Sequence, residues 1–212
     1  MSPLRIDVVS DLVCPWCFIG SRRLEQSIES LGGDAPVVTY RPFLLDPSTP
    51  ADGVDLRQLL RRKYGGDPET MFARVEAAAR ETGIPLDFTK VTRMVSTVGA
   101  HTLVRHALDR GTQRALVRSL FAAYFLEGRD LGQASVLASV ARDHGFSEDE
   151  AIGLVGDTDE RKRTRDEAEE SERRGVEGVP FFMFGGRFAL SGAQPLKVFR
   201  STIERARAEA SS

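Results

Sequence analysis

The chain has two cysteines, and both lie in one tetrapeptide, Cys14-Pro15-Trp16-Cys17. Two thiols at this spacing can close into a disulfide and open again. The attacking species in such exchange is the thiolate, and a free cysteine titrates near about 8.5. At a helix N-terminus the first-turn amides have no intrahelical partner, and the macrodipole presents its positive end. Both favour an anion, and cysteines placed there titrate at roughly 3.5–7.5. Cys14 is therefore expected to be the nucleophile. Cys17, about one turn further on, is expected to reach back and resolve a mixed disulfide held on Cys14. Pro15 suits the first helical position, where its missing N–H had no intrahelical partner. Pro15 and Trp16 would contact substrate. Trp16, the one tryptophan of the chain, is expected to sit exposed beside the sulfur as an apolar contact.

Other uses of the two thiols fit less well. A structural zinc site needs four ligands, and there is no second cysteine pair. His101, His106 and His144 fall in helical stretches without ligand spacing, so no metal is expected. So short a loop at a helix start also argues against a structural disulfide.

The elements that must position this pair are legible around it. An apolar run from Leu4 to Val9 precedes it and reads as a buried strand. Ile19, Leu24, Ile28 and Leu31 follow at helical spacing, and Gly32-Gly33 closes that helix. Val37 to Phe43 reads as a second strand, closed by Pro42 and a turn-rich stretch from Asp46 to Pro50. Strand, helix, strand is a βαβ unit, so its strands should be parallel with a right-handed crossover.

From about Asp55 the pattern turns helical. Helices are expected over Asp55 to Tyr64, Pro68 to Thr82, Ser96 to Arg110, Gln113 to Glu127, Gln133 to His144 and Glu148 to Val155. Glycines stop most of them, and Ser147 with Glu150 reads as a capping box. Stripes such as Leu116, Leu120, Ala123 and Tyr124 are read as packing between helices. This makes roughly a hundred residues with no strand of their own, a helical module set into an α/β domain. Asp157 to Arg174 interleaves acid and base, which suits a solvated helix face better than a single-signed nucleic-acid patch. Gly178 to Phe184 reads as an apolar strand with Pro180 near its start. Gly185-Gly186 signals a hairpin into Arg187 to Leu190, and Pro195 to Ala210 a closing helix.

Composition narrows the function classes. At 212 residues and 23.3 kDa, with 41% hydrophobic and 28% charged residues, the chain can bury a proper core. A formal net charge of -2 gives no reason to expect nucleic acid or an anionic membrane as partner. No run approaches a transmembrane helix, and the N-terminus passes directly into a strand without a basic and then apolar leader. A cytoplasmic protein is expected, in which a lone adjacent cysteine pair is catalytic rather than structural.

Several stretches together resemble a known family. Cys14-Pro15-Trp16-Cys17 opening the first helix, with Gly178-Val179-Pro180 before a late hairpin, resembles the thioredoxin superfamily. The long helical insertion between them is similar to the DsbA group. Ser10 to Gly20, Ala123 to Gly128, Gly178 to Phe182 and Ser191 to Gln194 look like its FrnE subgroup. The fold class implied is α/β: a thioredoxin fold with a large all-helical insertion. Residues 1–50 and 158–212 would form the two parts of the thioredoxin fold, with 51–157 the insertion.

The resemblance also implies roles. The family's proline matching Pro180 is cis and lies beside the cysteines. Val179 would then offer its backbone N–H and C=O to an extended peptide or to glutathione, as in strand addition. Strongly oxidising members carry histidine between their cysteines. With Trp16 in that place, a less depressed Cys14 pKa is implied, with a poise more reducing than about −120 mV. Relatives place a buried carboxylate on the first strand, behind the resolving cysteine. The matching position here is Val8, with Asp7 on the opposite face, and Asp11 is read as a loop or capping residue rather than a proton acceptor.

The expected activity is thiol–disulfide exchange, with disulfide isomerase work included. Protein or small-molecule disulfides would be the substrates and glutathione a candidate redox partner; no other cofactor is implied. One alternative is a glutathione-dependent enzyme like the kappa-class transferases and hydroxychromene carboxylate isomerases. Those are similar in fold but keep serine at the nucleophile position. The other is a non-enzymatic peptide-binding holdase.

Overall fold

The computed structural model describes residues 3–210, the last by its backbone only. The first apolar run becomes β1 (Arg5–Ser10), and its alternation has a direct cause. β1 is interior in a four-stranded sheet of order β2-β1-β5-β6, and core clusters cover both of its faces. Ile6 and Val8 face one side of the core; Val9 faces the other, against Phe43 and Val176. β2 (Val37–Pro42) runs parallel to β1, as a βαβ unit requires, with Val8 opposite Tyr40. β5 (Phe181–Phe184) lies antiparallel on the other edge of β1, with Val8 opposite Phe182. β6 (Phe188–Ser191) returns from β5 through Gly185 and Gly186. Both glycines have positive φ, and the Arg187 amide closes the turn onto the Phe184 carbonyl at 3.1 Å; Phe184 pairs with Phe188, so the loop is three residues long with Arg187 its third.

Helix α1 (Pro15–Leu31) and the closing helix α9 (Leu196–Ala210) pack together against this sheet. Phe199 of α9 is fully buried and meets Phe182 edge to face, with ring centroids 4.8 Å apart. Between β2 and the later strands come α2 (Leu56–Tyr64), α3 (Pro68–Glu81), α4 (Val98–Asp109), α5 (Gln113–Phe125), α6 (Ala134–Ala141), α7 (Glu148–Gly156) and α8 (Thr158–Arg173). Their boundaries fall within a few residues of those the periodicity predicts, except that Arg142–His144 tightens into a 3-10 turn after α6.

Two expectations are corrected. The long helical stretch does carry strand: β3 (Val54–Asp55) and β4 (Arg93–Met94) form an antiparallel ladder. Two residues per strand are too few to show a period in sequence, and the partners lie about forty positions apart. The capping box at α7 is half made. Ser147 Oγ accepts from the Glu150 amide at 3.2 Å, but the Glu150 carboxylate turns to Arg110 instead of back to Ser147.

Helix α8 behaves as its charge pattern predicts on its outer face, with Lys162–Asp166 and Arg174–Glu170 pairs at i, i+4. Its inner face is small and polar. Ser171 Oγ donates to the Pro42 carbonyl at 3.1 Å, and Thr164 Oγ1 meets Thr102 Oγ1 of α4 at 2.9 Å. The edge strand β2 is satisfied by a side chain. Gln113 accepts from the Tyr40 amide at 2.9 Å and donates to the carbonyls of Tyr40 and Val104 at 3.2 and 3.1 Å. An aromatic cluster ties α1 to the helical elements: Phe18 stacks on Phe121 and Phe125 of α5 at 5.2 and 5.7 Å. Among the described residues no helix is long and apolar enough to cross a membrane.

Candidate active site

The site is built by the turn that leaves β1. The Cys14 amide donates to the Asp11 carbonyl at 3.1 Å, which bends the chain into α1. Cys14 is the N-cap residue, with extended backbone and no side-chain capping bond. Its carbonyl accepts the amides of Cys17 and Phe18 at 3.0 and 3.2 Å, while its side chain is left for other contacts. Pro15 takes the first helical position.

The Cys14 thiol donates to the Val179 carbonyl at 3.8 Å, across 165 positions of sequence. The Val179–Pro180 bond is cis, and Pro180 is buried. Gly20 explains how α1 comes so close. A Cβ there would lie 3.0 Å from Pro180 Cγ and 3.0 Å from Phe182 Cζ, so any side chain would push both back slightly and a large one further. The six residues expected at the site therefore converge: Cys14, Pro15, Trp16 and Cys17 from the helix start, Val179 and Pro180 from the bend that leads into β5.

One of them sits deeper than expected. Trp16 is half-buried, packed against the core rather than exposed, and Cys14 is 4% exposed. Beside them lies a feature the sequence did not reveal. A cavity of about 590 Å³ opens beside Cys14, lined there by Trp16 and Val179 and walled further out by Leu56, Leu59, Phe72 and Phe88 of the helical elements. Its walls are overwhelmingly apolar, and Lys63 and Arg74 are the charged residues on its lining. Its size is that of sites for small organic molecules, a few hundred to about 1,000 Å³. Leu56, Leu59 and Phe72 fall in stretches expected to be helical and Phe88 between two such stretches, and periodicity does not distinguish a packed face from a cavity wall.

Cys17 is fully buried, and both cysteines are free. Burial pushes the Cys17 thiol well above its ordinary value, and contact with the Cys14 sulfur pushes the same way. The Asp11 backbone pulls the other way, while the charge of the Asp11 carboxylate adds to the rise. Asp11 itself is 1% exposed. Its carboxylate accepts the Leu45 amide and the Thr97 hydroxyl, each at 2.8 Å, and lies 3.5 Å from Nε2 of buried His101. It thus ties the site's turn to the start of α4, a loop role in keeping with the sequence reading. Asp7 lies away from the thiols, half-exposed and 3.5 Å from Arg41. Thr97 and His101 gave no signal in sequence, being 86 and 90 positions from Asp11.

Fold and site together define a thioredoxin-fold protein whose helical elements interrupt the fold between its second and third sheet strands. The chain belongs to the family of DsbA-like thioredoxin domains, which it matches over residues 5–204. Among solved structures it is similar to a probable DsbA oxidoreductase of Streptomyces coelicolor, with a TM-score of 0.86 and 29% identity over 97% of this chain and 91% of that one. It shares its fold with a 2-hydroxychromene-2-carboxylate isomerase, at TM-score 0.72 and 16% identity over 98% of both chains. It also shares its fold with the cytosolic disulfide reductase DsbM of Pseudomonas aeruginosa, at TM-score 0.65 and 22% identity over 96% of this chain and 98% of that one. A curated relative, the uncharacterized protein YwbO of Bacillus subtilis (strain 168), is 26% identical over 206 residues, covering 94% of this chain and 96% of YwbO.

Proposed function

We propose that the chain is a thiol–disulfide oxidoreductase working through the Cys14/Cys17 couple, of the FrnE-like kind. The observation that carries this reading is the Cys14 sulfur at the N-cap of α1, set against the Val179 carbonyl and touching the Cys17 sulfur. The Cys14 thiolate attacks one sulfur of a substrate disulfide and releases the other as a thiolate. Cys17 then attacks the mixed disulfide, leaving Cys14–Cys17 oxidised and the substrate reduced by two electrons. Run backwards, the same steps oxidise a dithiol; interrupted at the mixed disulfide, they permit isomerisation. Trp16 and the apolar cavity receive the non-polar part of a protein or small-molecule disulfide, and the Val179 backbone aligns the chain beside the sulfur. Glutathione is the redox partner we assign, and the cytoplasm the compartment; one of the similar structures is of a cytosolic disulfide reductase with glutathione.

The test is trapping. Cys17→Ser should accumulate a covalent adduct with glutathione or a substrate protein, read by intact mass, and Cys14→Ser should not. Equal trapping by both variants would overturn the assignment of roles. The apolar cavity also suits a peptide-holding role. Suppression of client aggregation that survives in the Cys14→Ser/Cys17→Ser double variant would favour it.

A further inference from the structure

The cavity beside Cys14 carries charge of one sign. Its charged lining residues are Lys63, in the last turn of α2, and Arg74, in the middle of α3, both basic and both exposed at the rim. The acids that could neutralise them are committed elsewhere. Asp55 and Asp67 cap α2 and α3 by accepting the amides of Gln58 and Glu69. Glu69 pairs with Arg57 at 2.7 Å, Glu76 accepts the Phe88 amide at 2.8 Å, and Glu81 lies 3.9 Å from Arg23. No other acid lies on α2, on α3 or at their N-caps. The Lys63 ammonium meets only the carbonyl of Leu45, another lining residue, at 3.5 Å, and the Tyr64 ring at 5.6 Å. Among the described residues neither cation has a carboxylate within ion-pair distance.

Helix electrostatics account for part of this. The last turn of a helix favours cations, which suits Lys63 together with Arg61 and Arg62. Arg74 stands mid-helix, where the dipole calls for no charge, in a chain whose net charge is -2. Apolar walls keep water from a bound molecule, and a cation at the edge of such a surface attracts an anion more strongly than it would in open water. Cys14 is 4% exposed and belongs to the same lining, so a reacting sulfur arrives within this space. That favours a small molecule over a folded protein.

We propose that the cavity selects small apolar disulfides that carry an acidic group (a carboxylate, sulfonate or phosphate). Lys63 and Arg74 hold the anion at the rim, and the apolar body lies against Leu56, Leu59 and Phe72 with its sulfur at Cys14. The proposal rests on the oxidoreductase reading and deepens it by naming the substrate class. Lys63 and Arg74 determine specificity and take no part in the sulfur chemistry. In that chemistry the Cys14 thiolate bonds to one substrate sulfur, and the other leaves with the electron pair of the broken S–S bond. Cys17 then bonds to Cys14 and releases the second acid-bearing thiol, so the protein loses two electrons and the substrate gains them.

The first measurement needs no thiol. The full chain carrying Cys14→Ser/Cys17→Ser is titrated with anilinonaphthalene sulfonate, an apolar anion, and with N-phenylnaphthylamine, the same skeleton without the charge. Adding Lys63→Gln/Arg74→Gln should weaken the sulfonate roughly 3- to 30-fold, the effect of two exposed charge pairs, and the neutral probe by less than about twofold. Lys63→Glu/Arg74→Glu should weaken the sulfonate further. Both side chains are exposed and without ion pairs, so these variants should fold. Octanoate should displace the sulfonate and octylammonium should not. Unchanged sulfonate binding in both variants, equal loss of both probes, or equal displacement by octylammonium overturns the proposal.

The second measurement follows exchange by the reduced chain with native cysteines. Dithiobis-nitrobenzoate is an aromatic dianion, dithiodipyridine is aromatic and neutral, and both release coloured products. Lys63→Gln/Arg74→Gln should slow the first reagent roughly 3- to 30-fold relative to the wild type and the second by less than about twofold. Equal slowing of both reagents, or of neither, overturns the selection. Failure of the oxidoreductase reading would show differently, as colour release that does not depend on Cys14, while the probe titrations still decide what the cavity binds.

Discussion

Gly20 on α1 and Pro180 at the start of β5 lie so close that a Cβ on the first would stand 3.0 Å from Cγ of the second. The same Cβ would stand 3.0 Å from Phe182, so both neighbours would have to give by a few tenths of an ångström. Replacing Gly20 by valine adds volume to a full interface, a change that costs typically 1–3 kcal/mol. We expect Gly20→Val to lower the denaturation midpoint and to slow alkylation or exchange at Cys14. Gly20→Ala should be close to neutral in stability, because better helix propensity offsets the crowding by about 1 kcal/mol. A valine variant with wild-type stability and exchange rate would contradict the tight packing.

The raised Cys17 thiol predicts a pH dependence. Its folded pKa lies above the ordinary value near 9, so the folded thiol keeps a proton that the unfolded one gives up. Stability from this group is fully present below about pH 9 and falls as pH rises beyond it, by at most about 1.4 kcal/mol per pH unit. Tyr40 is also pushed up by burial, to about 12, but begins to contribute only above pH 10. Between pH 9 and 10 the dithiol form should therefore lose stability faster than the Cys17→Ala variant, as measured by urea unfolding. Parallel curves would show that Cys17 ionises freely in the fold.

Gln113 supplies the missing partner of an edge strand. Its truncation in Gln113→Ala strands the Tyr40 amide and the Tyr40 carbonyl in a buried place and removes the extra bond to the helical Val104 carbonyl. Each unsatisfied group costs about 1–3 kcal/mol, and relaxation recovers part of the sum. We expect a loss of roughly 2–4 kcal/mol in denaturant unfolding, with thiol exchange per folded molecule unchanged.

The cavity separates substrates by polarity. Leu60 lines it and is half-buried, so Leu60→Glu places a carboxylate among leucines and phenylalanines with little strain on the fold. An apolar peptide disulfide should then show a KM raised about tenfold, an effect of about 1.4 kcal/mol. A small hydrophilic disulfide such as hydroxyethyl disulfide should be unaffected. Equal losses on both substrates would place the effect at the sulfur and not in the cavity.

Local chemistry was legible because it is short-ranged. That Cys14 caps a helix, that Pro15 opens it and that Cys17 lies one turn on are relations among four consecutive residues. The parallel β1–β2 pair and the Gly185–Gly186 hairpin follow from handedness and turn geometry, which act within one supersecondary unit. The sequence by itself determined these, together with the succession of helices between β2 and β5. Tertiary structure decided the rest: the Cys14–Val179 contact, the depth of Trp16, the cavity beside it, the β3–β4 ladder and the meeting of Asp11 with Thr97 and His101. Those relations join residues about 40 to 165 positions apart. No periodicity or propensity encodes which distant side chain fills a given gap; dense packing of the whole chain sets it, and packing exists only once the chain has folded.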